Sequence, residues 1–419
     1  GFRRHPEAQG RYAGAGDEVL KQRAERVVSE LARCQDALDG GGYVSAFPES
    51  FIDRVLDRKP VWAPFYTLHK VMAGLLDVHR YCGSDRALDV ARGIADWLDG
   101  RLQSIGEEEM QKILDATEQG GMNDALANLY AATGEEKYLE LARRFQQDHY
   151  NQPLAEGEDN LAGEHANSFI PNIVGAARLY ELTGDATCRR VSRNFWDTVA
   201  HTRTYATGGT SLKEHWGEPN ELPLGGHTQE FCCTYNMLKL TRHLFCWRPR
   251  GALMDYYERG LWNNILSTQN PRTGMMGYFL ALAPGHWKYF CTPDTSFWCC
   301  TGSGVESHAK YGRNIYYHDG DGVFVNQFIA SEVSWPRRGV RIRQETNFPS
   351  SPETTLTVQC DEPTEFALHV RKPSWAVDGV SLDGPGRRSD EHPSGYVTIR
   401  RTWEAGDTVT VRMPMSLHS

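Results

Sequence analysis

Two spacings of apolar residues divide this chain. Up to about Tyr311 they recur every three to four positions, the period of helices with one face turned inward, and from about Tyr316 they alternate with polar residues, the period of strands. The helical part repeats. The segments Tyr81-Cys-Gly-Ser-Asp-Arg-Ala-Leu, Ala132-Thr-Gly-Glu-Glu-Lys-Tyr-Leu and Leu182-Thr-Gly-Asp-Ala-Thr-Cys-Arg place Gly83, Gly134 and Gly184 at spacings of 51 and 50. In each unit a more apolar helix (67–81, 122–132 and 170–182) ends at the glycine as its C-cap. A charged, amphipathic helix (86–98, 138–149 and 188–199) then opens with an acidic residue.

A fourth pair is expected over 234–247 and 253–266. An outer helix is expected over 17–38 behind the turn Ala13-Gly-Ala-Gly16, and a partial sixth unit over 302–311. Alternating helices of these two kinds build two concentric layers, the inner buried on more faces than the outer. The reading is a mainly α chain with a C-terminal β part: an (α/α)6 toroid over 1–315, followed by an antiparallel β-sandwich over 316–419. Only a dozen residues precede the turn at 13–16, so the toroid is expected to lack its first inner helix. The strands are read from Val323-Phe-Val-Asn-Gln-Phe, Val340-Arg-Ile-Arg-Gln, Thr355-Leu-Thr-Val-Gln, Phe366-Ala-Leu-His-Val-Arg, Tyr396-Val-Thr-Ile-Arg and Thr408-Val-Thr-Val-Arg, with Gly, Pro and Asp clusters between them. Structural packing against the helices is the expected task of this part.

Composition narrows the partners. A formal charge of −9 and the lack of a basic stripe with interleaved aromatics exclude a nucleic-acid footprint. No run of about 18 apolar residues is long enough to cross a membrane. The first residues, Gly-Phe-Arg-Arg-His-Pro, lack the apolar core of a signal peptide, which is compatible with a cytoplasmic chain or with a periplasmic or secreted one after signal removal. Eleven tryptophans and 11% aromatic content suit aromatic-lined concavities, and the acidic balance favours a neutral or polyhydroxy ligand. Ten cysteines are too sparse for a disulfide scaffold in 419 residues. Four of them, Cys34, Cys82, Cys188 and Cys246, sit in helical apolar patterns as small buried groups.

The remaining thiols concentrate the chemistry. Glu230-x-Cys232 stands at the start of a helix, and Cys299-Cys300 form a vicinal pair. Three thiolates and one carboxylate make a four-ligand set that suits zinc. Cys233 rivals Cys232, but neighbouring side chains on a helix diverge by about 100°, so only one of the two joins Glu230. The long connector from about Thr202 to Glu230 is expected to cap a central cavity, and there Glu214, beside His215 and Trp216, is the candidate general acid, with Glu218 its nearest competitor. His69, Asn123 and His165 fall at inner-helix ends or loops and would converge on a sugar pocket in a closed ring.

Longer strings carry a resemblance. Trp62-Ala-Pro-Phe-Tyr-Thr-Leu-His-Lys70, Gly120-Gly-Met-Asn123, His165-Ala-Asn167, Glu230-x-Cys232-x-Thr-Tyr-Asn-Met-Leu-Lys-Leu240, Asp255-Tyr-Tyr-Glu-Arg259 and Phe297-Trp-Cys-Cys-Thr-Gly-x-Gly-x-Glu-Ser-His-Ala-Lys310 resemble the β-L-arabinofuranosidases of glycoside hydrolase families 127 and 146. The resemblance implies an (α/α)6 catalytic barrel with β-sandwich domains and a zinc ion held by Glu230, Cys232, Cys299 and Cys300. It implies Cys299 as nucleophile and Glu214 as acid/base of a retaining glycosidase, with zinc keeping the thiol deprotonated. Tyr278 matches a substrate-contacting tyrosine, and His69 and His165 pair with sugar-binding histidines. Two alternatives stand beside it: a zinc-dependent hydrolase or cyclase on the same toroid, and a non-catalytic glycan-binding protein with a structural zinc.

Overall fold

The computed structural model describes residues 17–38, 41–389 and 394–417; the turn expected at 13–16 lies outside them. Thirteen α-helices precede ten strands among the described residues. The helices are α1 (Glu18–Ala37), α2 (Ser50–Leu56), α3 (Pro64–Cys82), α4 (Asp85–Leu102), α5 (Glu107–Asp115), α6 (Met122–Thr133), α7 (Glu136–Arg144), α8 (Asp148–Glu156), α9 (Ala166–Thr183), α10 (Ala186–Thr202), α11 (Phe231–Trp247), α12 (Gly251–Gly260) and α13 (Cys299–His308). They form an α/α toroid. Its inner helices α3, α6, α9, α11 and α13 pack each on the one before, and the outer partners α4, α7, α10 and α12 pack on the inner helix that precedes them.

The repeat glycines do what their spacing predicts. Gly83, Gly134 and Gly184 adopt φ of 72°, 75° and 77°, a left-handed conformation that a side chain disfavours. Each N–H closes its helix on the carbonyl four residues back, at 3.0, 2.7 and 2.9 Å. The next helix is then caught by a cap: Ser84 Oγ accepts from Ala87 N–H, and Asp185 Oδ1 accepts from Thr187 N–H. Inner α9 is buried over most of its length, while outer α10 buries one stripe that includes Val191, Phe195 and Val199.

Several details differ from the sequence reading. Helix α7 stops at Arg144 rather than running to 149, because Gln147 is buried and its amide is used laterally: it donates to the Leu114 carbonyl and accepts from Gln119 and Asn172. Helix α13 begins at Cys299 rather than at 302, so the vicinal thiols open a helix instead of preceding one. Cys34, expected to be buried, is exposed on the outward face of α1.

The sandwich has two five-stranded sheets, whose strands are β1 (Tyr316–His318), β2 (Gly322–Val325), β3 (Ser331–Trp335), β4 (Val340–Thr346), β5 (Glu353–Cys360), β6 (Thr364–Arg371), β7 (Ser381–Asp383), β8 (Arg387–Ser389), β9 (Tyr396–Trp403) and β10 (Thr408–Arg412). Their orders are β1-β2-β6-β9-β8 and β3-β4-β5-β10-β7. All pairs are antiparallel except β2 with β6, since the chain crosses to the second sheet for three strands before it returns beside β2. Phe245 of α11 packs on Tyr317, Phe324 and Tyr396, which joins the two cores. No described helix is long and apolar enough to cross a membrane.

Candidate active site and metal centre

The site is built where three non-helical arms meet the ends of inner helices. Glu230 is the N-cap of α11, and its segment is clamped on two sides. Its N–H donates to Ser211 Oγ (3.2 Å), Phe231 N–H donates to the Tyr278 carbonyl (3.0 Å), and Gln229 N–H donates to the Ser211 carbonyl (2.8 Å). The arm that carries Glu214 is tied in turn to the start of α9, where Ala166 N–H donates to the Glu214 carbonyl at 2.7 Å. Four non-glycine residues here hold left-handed backbone: Ser211 (83°), Lys213 (49°), Glu214 (71°) and Gln229 (54°). Each such residue costs on the order of 1 kcal/mol, and their clustering marks a segment bent to place particular side chains.

What the bend brings together is the expected four-donor set. One ligand atom from each of Glu230, Cys232, Cys299 and Cys300 lies within 4.8 Å of all the others. Cys300 Sγ is 3.1 Å from Cys232 Sγ, and both Cys299 Sγ and Cys300 Sγ are 3.7 Å from Glu230 Oε1. Donors bound to zinc at about 2.3 Å with tetrahedral angles stand about 3.5–3.8 Å apart; the two 3.7 Å separations match that spacing, and the Cys232–Cys300 pair at 3.1 Å is closer. Cys233 does not join it: its thiol donates to Glu230 Oε2 (3.4 Å), the carboxylate's other oxygen. The helix thus sends Cys232 to the cluster and turns its neighbour behind the carboxylate. Ser303 Oγ, one turn into α13, touches Cys232 Sγ at 3.1 Å.

The electrostatics favour binding of a cation. Burial pushes the Glu230 carboxyl well above its ordinary range, and the Cys299 and Glu214 charges push it the same way. Burial likewise raises the Cys232 and Cys300 thiols. Cys299, the most accessible of the four, goes the other way, because hydrogen bonds from Cys232 and Cys300 favour its thiolate. Among the described residues no Lys, Arg or His forms an ion pair with Glu230, and a soft thiol-rich set of this geometry suits a divalent ion such as zinc.

Tyr278 bridges the cluster to Glu214. Its hydroxyl donates to Glu214 Oε1 and stands 3.7 Å from Cys299 Sγ, and burial together with the Glu230 and Cys299 charges drives its own ionisation far upward. His165, the N-cap of α9, places Nε2 3.8 Å from Glu214 Oε2. Trp216, two residues after Glu214, does not line it. It turns into the core against Phe169 and Phe195, and its indole N–H donates to Thr210 Oγ1 (2.9 Å). Glu218 is exposed and outside the cluster.

His69 is buried beside Tyr66 and accepts from Gly121 N–H at 3.4 Å; burial holds its imidazole well below the usual range, hence neutral. A Cβ on Gly120 would collide with both rings, which explains the paired glycines. Asn123 is fully buried: its amide donates to Asn172 Oδ1 (2.8 Å) and its Oδ1 accepts from Asp124 N–H (2.9 Å). It stands behind the site rather than on its surface.

Three residues of the site received no role from the sequence. Tyr66 has a hydroxyl that burial raises, with Cys232 and Cys299 pushing it further, and it accepts from Asn167 Nδ2 (3.2 Å). Asn167 Oδ1 accepts in turn from Asn236 Nδ2 (3.0 Å). The relevant signal was spacing: Asn236 is one turn from Cys232 on the same helix face, and Asn167 is two residues from His165.

Comparison with known proteins follows the same outline. The family model described as the GH127 catalytic domain of β-L-arabinofuranosidase matches residues 8–313, and the GH127 middle-domain model matches 322–415. A non-reducing end β-L-arabinofuranosidase of Bifidobacterium longum subsp. longum is 24% identical over 459 aligned positions, covering 96% of this chain and 68% of that protein. A GH127 β-L-arabinofuranosidase from Geobacillus stearothermophilus T6 superposes with a TM-score of 0.76 at 23% identity, over 99% of this chain and 71% of that one. A second solved GH127 β-arabinofuranosidase gives 0.78 at 21% identity, over 98% and 70%. These structural likenesses concern the fold.

Proposed function

The chain belongs to the GH127 β-L-arabinofuranosidase family and is a glycosidase, and from that premise we propose that it releases L-arabinose from β-L-arabinofuranosides with retention, Cys299 acting as nucleophile and Glu214 as acid/base. The observation that carries this reading is Tyr278: one hydroxyl donates to the Glu214 carboxylate and stands 3.7 Å from Cys299 Sγ, so acid and nucleophile flank a common space. A bound zinc would be held by Glu230, Cys232, Cys299 and Cys300, and would supply the positive charge that keeps these buried donors ionised at neutral pH.

The chain's own groups then act in two displacements. The Cys299 thiolate attacks the anomeric carbon as Glu214 gives its proton to the departing glycosidic oxygen; the C–O bond breaks and a C–S bond forms. Glu214, now a carboxylate, takes a proton from water as that water attacks the same carbon, and the thiolate leaves. Two inversions give retention. Tyr278 holds the Glu214 carboxylate in place throughout, and His165 offers its Nε2 on the carboxylate's other side. His69, held neutral, suits hydrogen bonding to sugar hydroxyls, and Asn123 supports both histidines by fastening α6 to α9. In this reading residues 1–315 carry the chemistry and 316–419 brace the helical ring.

The test is hydrolysis of p-nitrophenyl β-L-arabinofuranoside by zinc-loaded and chelator-treated protein, with metal content and intact mass measured on the same samples. Cleavage that tracks one zinc per chain, with a pentosyl adduct trapped on Cys299, is the expected result. Inverted product, or full turnover after metal removal, would overturn it.

A further inference from the structure

Large aromatic side chains left in water beside a reaction centre require a partner, since a soluble surface otherwise limits such patches. Phe297 and Trp298, 81% and 39% exposed, immediately precede Cys299. Trp298 is not loosely placed. It is the N-cap residue of α13, its carbonyl accepts from Thr301 N–H at 3.0 Å, and its ring stands edge-on to Tyr278 with centroids 5.8 Å apart at 77°. Tyr278 is the residue whose hydroxyl engages Glu214. An aromatic wall therefore starts at the acid/base and runs outward.

The arm that carries Tyr278 exposes a second aromatic pair. Tyr278 follows Gly277, which bridges to Phe290 on the returning segment, and that segment exposes Trp287 (65%) and Tyr289 (64%) with their rings 5.7 Å apart. Lys288 between them donates from its ammonium to the Ser267 carbonyl (2.8 Å). In a glycosidase the general acid lies on the side of the departing oxygen, and groups beyond the acid meet what leaves rather than the sugar that is attacked.

We propose that Trp298, continued by Phe297 and by the Trp287–Tyr289 pair, forms the leaving-group subsite and receives a neutral sugar ring by stacking its C–H face on the indole. The inference rests on the glycosidase reading above and specifies what the substrate carries beyond the scissile bond. Flat aromatic faces backed by fixed neighbours suit the C–H face of a sugar ring.

The test compares kcat/KM for a β-L-arabinofuranosyl disaccharide with that for methyl β-L-arabinofuranoside, whose aglycone is too small to stack. Trp298→Ala should lower the ratio of the two by roughly tenfold, mainly through the KM of the disaccharide, and Trp298→Phe should restore most of it. Metal content is measured on each variant. Equal losses on both glycosides, or no change on either, overturn the subsite. If Trp298→Ala loses its metal, Trp287→Ala and Phe297→Ala take its place under the same criterion, and an unchanged ratio in both overturns the proposal. Wild-type protein that cleaves neither glycoside removes the glycosidase reading itself. A ratio that falls for a hydroxyproline-linked arabinofuranoside but not for the disaccharide replaces the sugar with a peptide.

Discussion

Two of the buried clusters of ionisable groups in this protein satisfy their charge in opposite ways. At the junction of toroid and sandwich, Arg371 of β6 is fully buried, with its two Nη atoms on Asp255 and Glu258 of α12 and its Nε donating to the Asn326 carbonyl at 2.7 Å. The indole of Trp375 and the Ser374 N–H complete the acceptors of Glu258 and Asp255, at 2.7 and 3.3 Å. Burial raises the Glu258 carboxyl, and Arg371 pulls it back. Here the cation is part of the chain. At the cysteine cluster, a carboxylate and three thiols gather without an ion-pair partner for Glu230 among the described residues, and burial raises three of the four groups. A closed set of charges fastens two domains; the donor set has Lys70 near Cys232 and Cys299 but no ion-pair partner for Glu230 among the described residues, and leaves one member, Cys299, accessible for chemistry.

The contrast can be broken by moving the damage from one cluster to the other. Cys299→Ser should lower turnover of an aryl β-L-arabinofuranoside by at least about 10⁴-fold; substantial activity in that variant would remove the nucleophile assignment. Glu214→Gln is expected to cost about 10²–10⁴-fold, and the loss should shrink as the leaving group becomes more acidic, because a good leaving group needs less protonation. A loss independent of leaving-group acidity would point to a structural task for Glu214.

Arg371→Met should do the reverse, destabilising the fold by about 3–5 kcal/mol in denaturant titration because it strands Asp255 and Glu258 without their cation. Activity per folded molecule should stay close to wild type, and a selective loss of turnover would show that the two clusters are coupled. The smallest effect concerns a third buried carboxyl. Burial raises Asp124, but Lys239, His243 and Arg178 outweigh it and leave the group below its ordinary 3.8. A carboxyl depressed in the folded state contributes stability that is present above the unfolded value and lost as pH falls through that value toward the folded one. Asp124→Asn should therefore cost about 1 kcal/mol at neutral pH and flatten the acid limb of the stability curve below about pH 4, while an unchanged acid limb would refute the assignment.

Much of this was legible in the chain because it depends on local rules. The glycines that end α3, α6 and α9 must be glycine for φ near 75°, and their spacing disclosed the repeat. Period two marked the strands, and thiols paired with a carboxylate marked a ligand set. What the sequence could not show is direction. That Cys232 and not Cys233 enters the cluster depends on how α11 is rotated by its clamp to Ser211 and Tyr278. That Trp216 turns inward while Tyr278 reaches Glu214 depends on a left-handed bend held from three sides. The parallel pairing of β2 with β6 and the relay from Tyr66 through Asn167 to Asn236 join positions far apart in sequence. The sequence by itself determined the elements, the ligand types and the family. The tertiary structure decided which side of each element faces the site, because that orientation is set by contacts between segments and not by the propensities within any one of them.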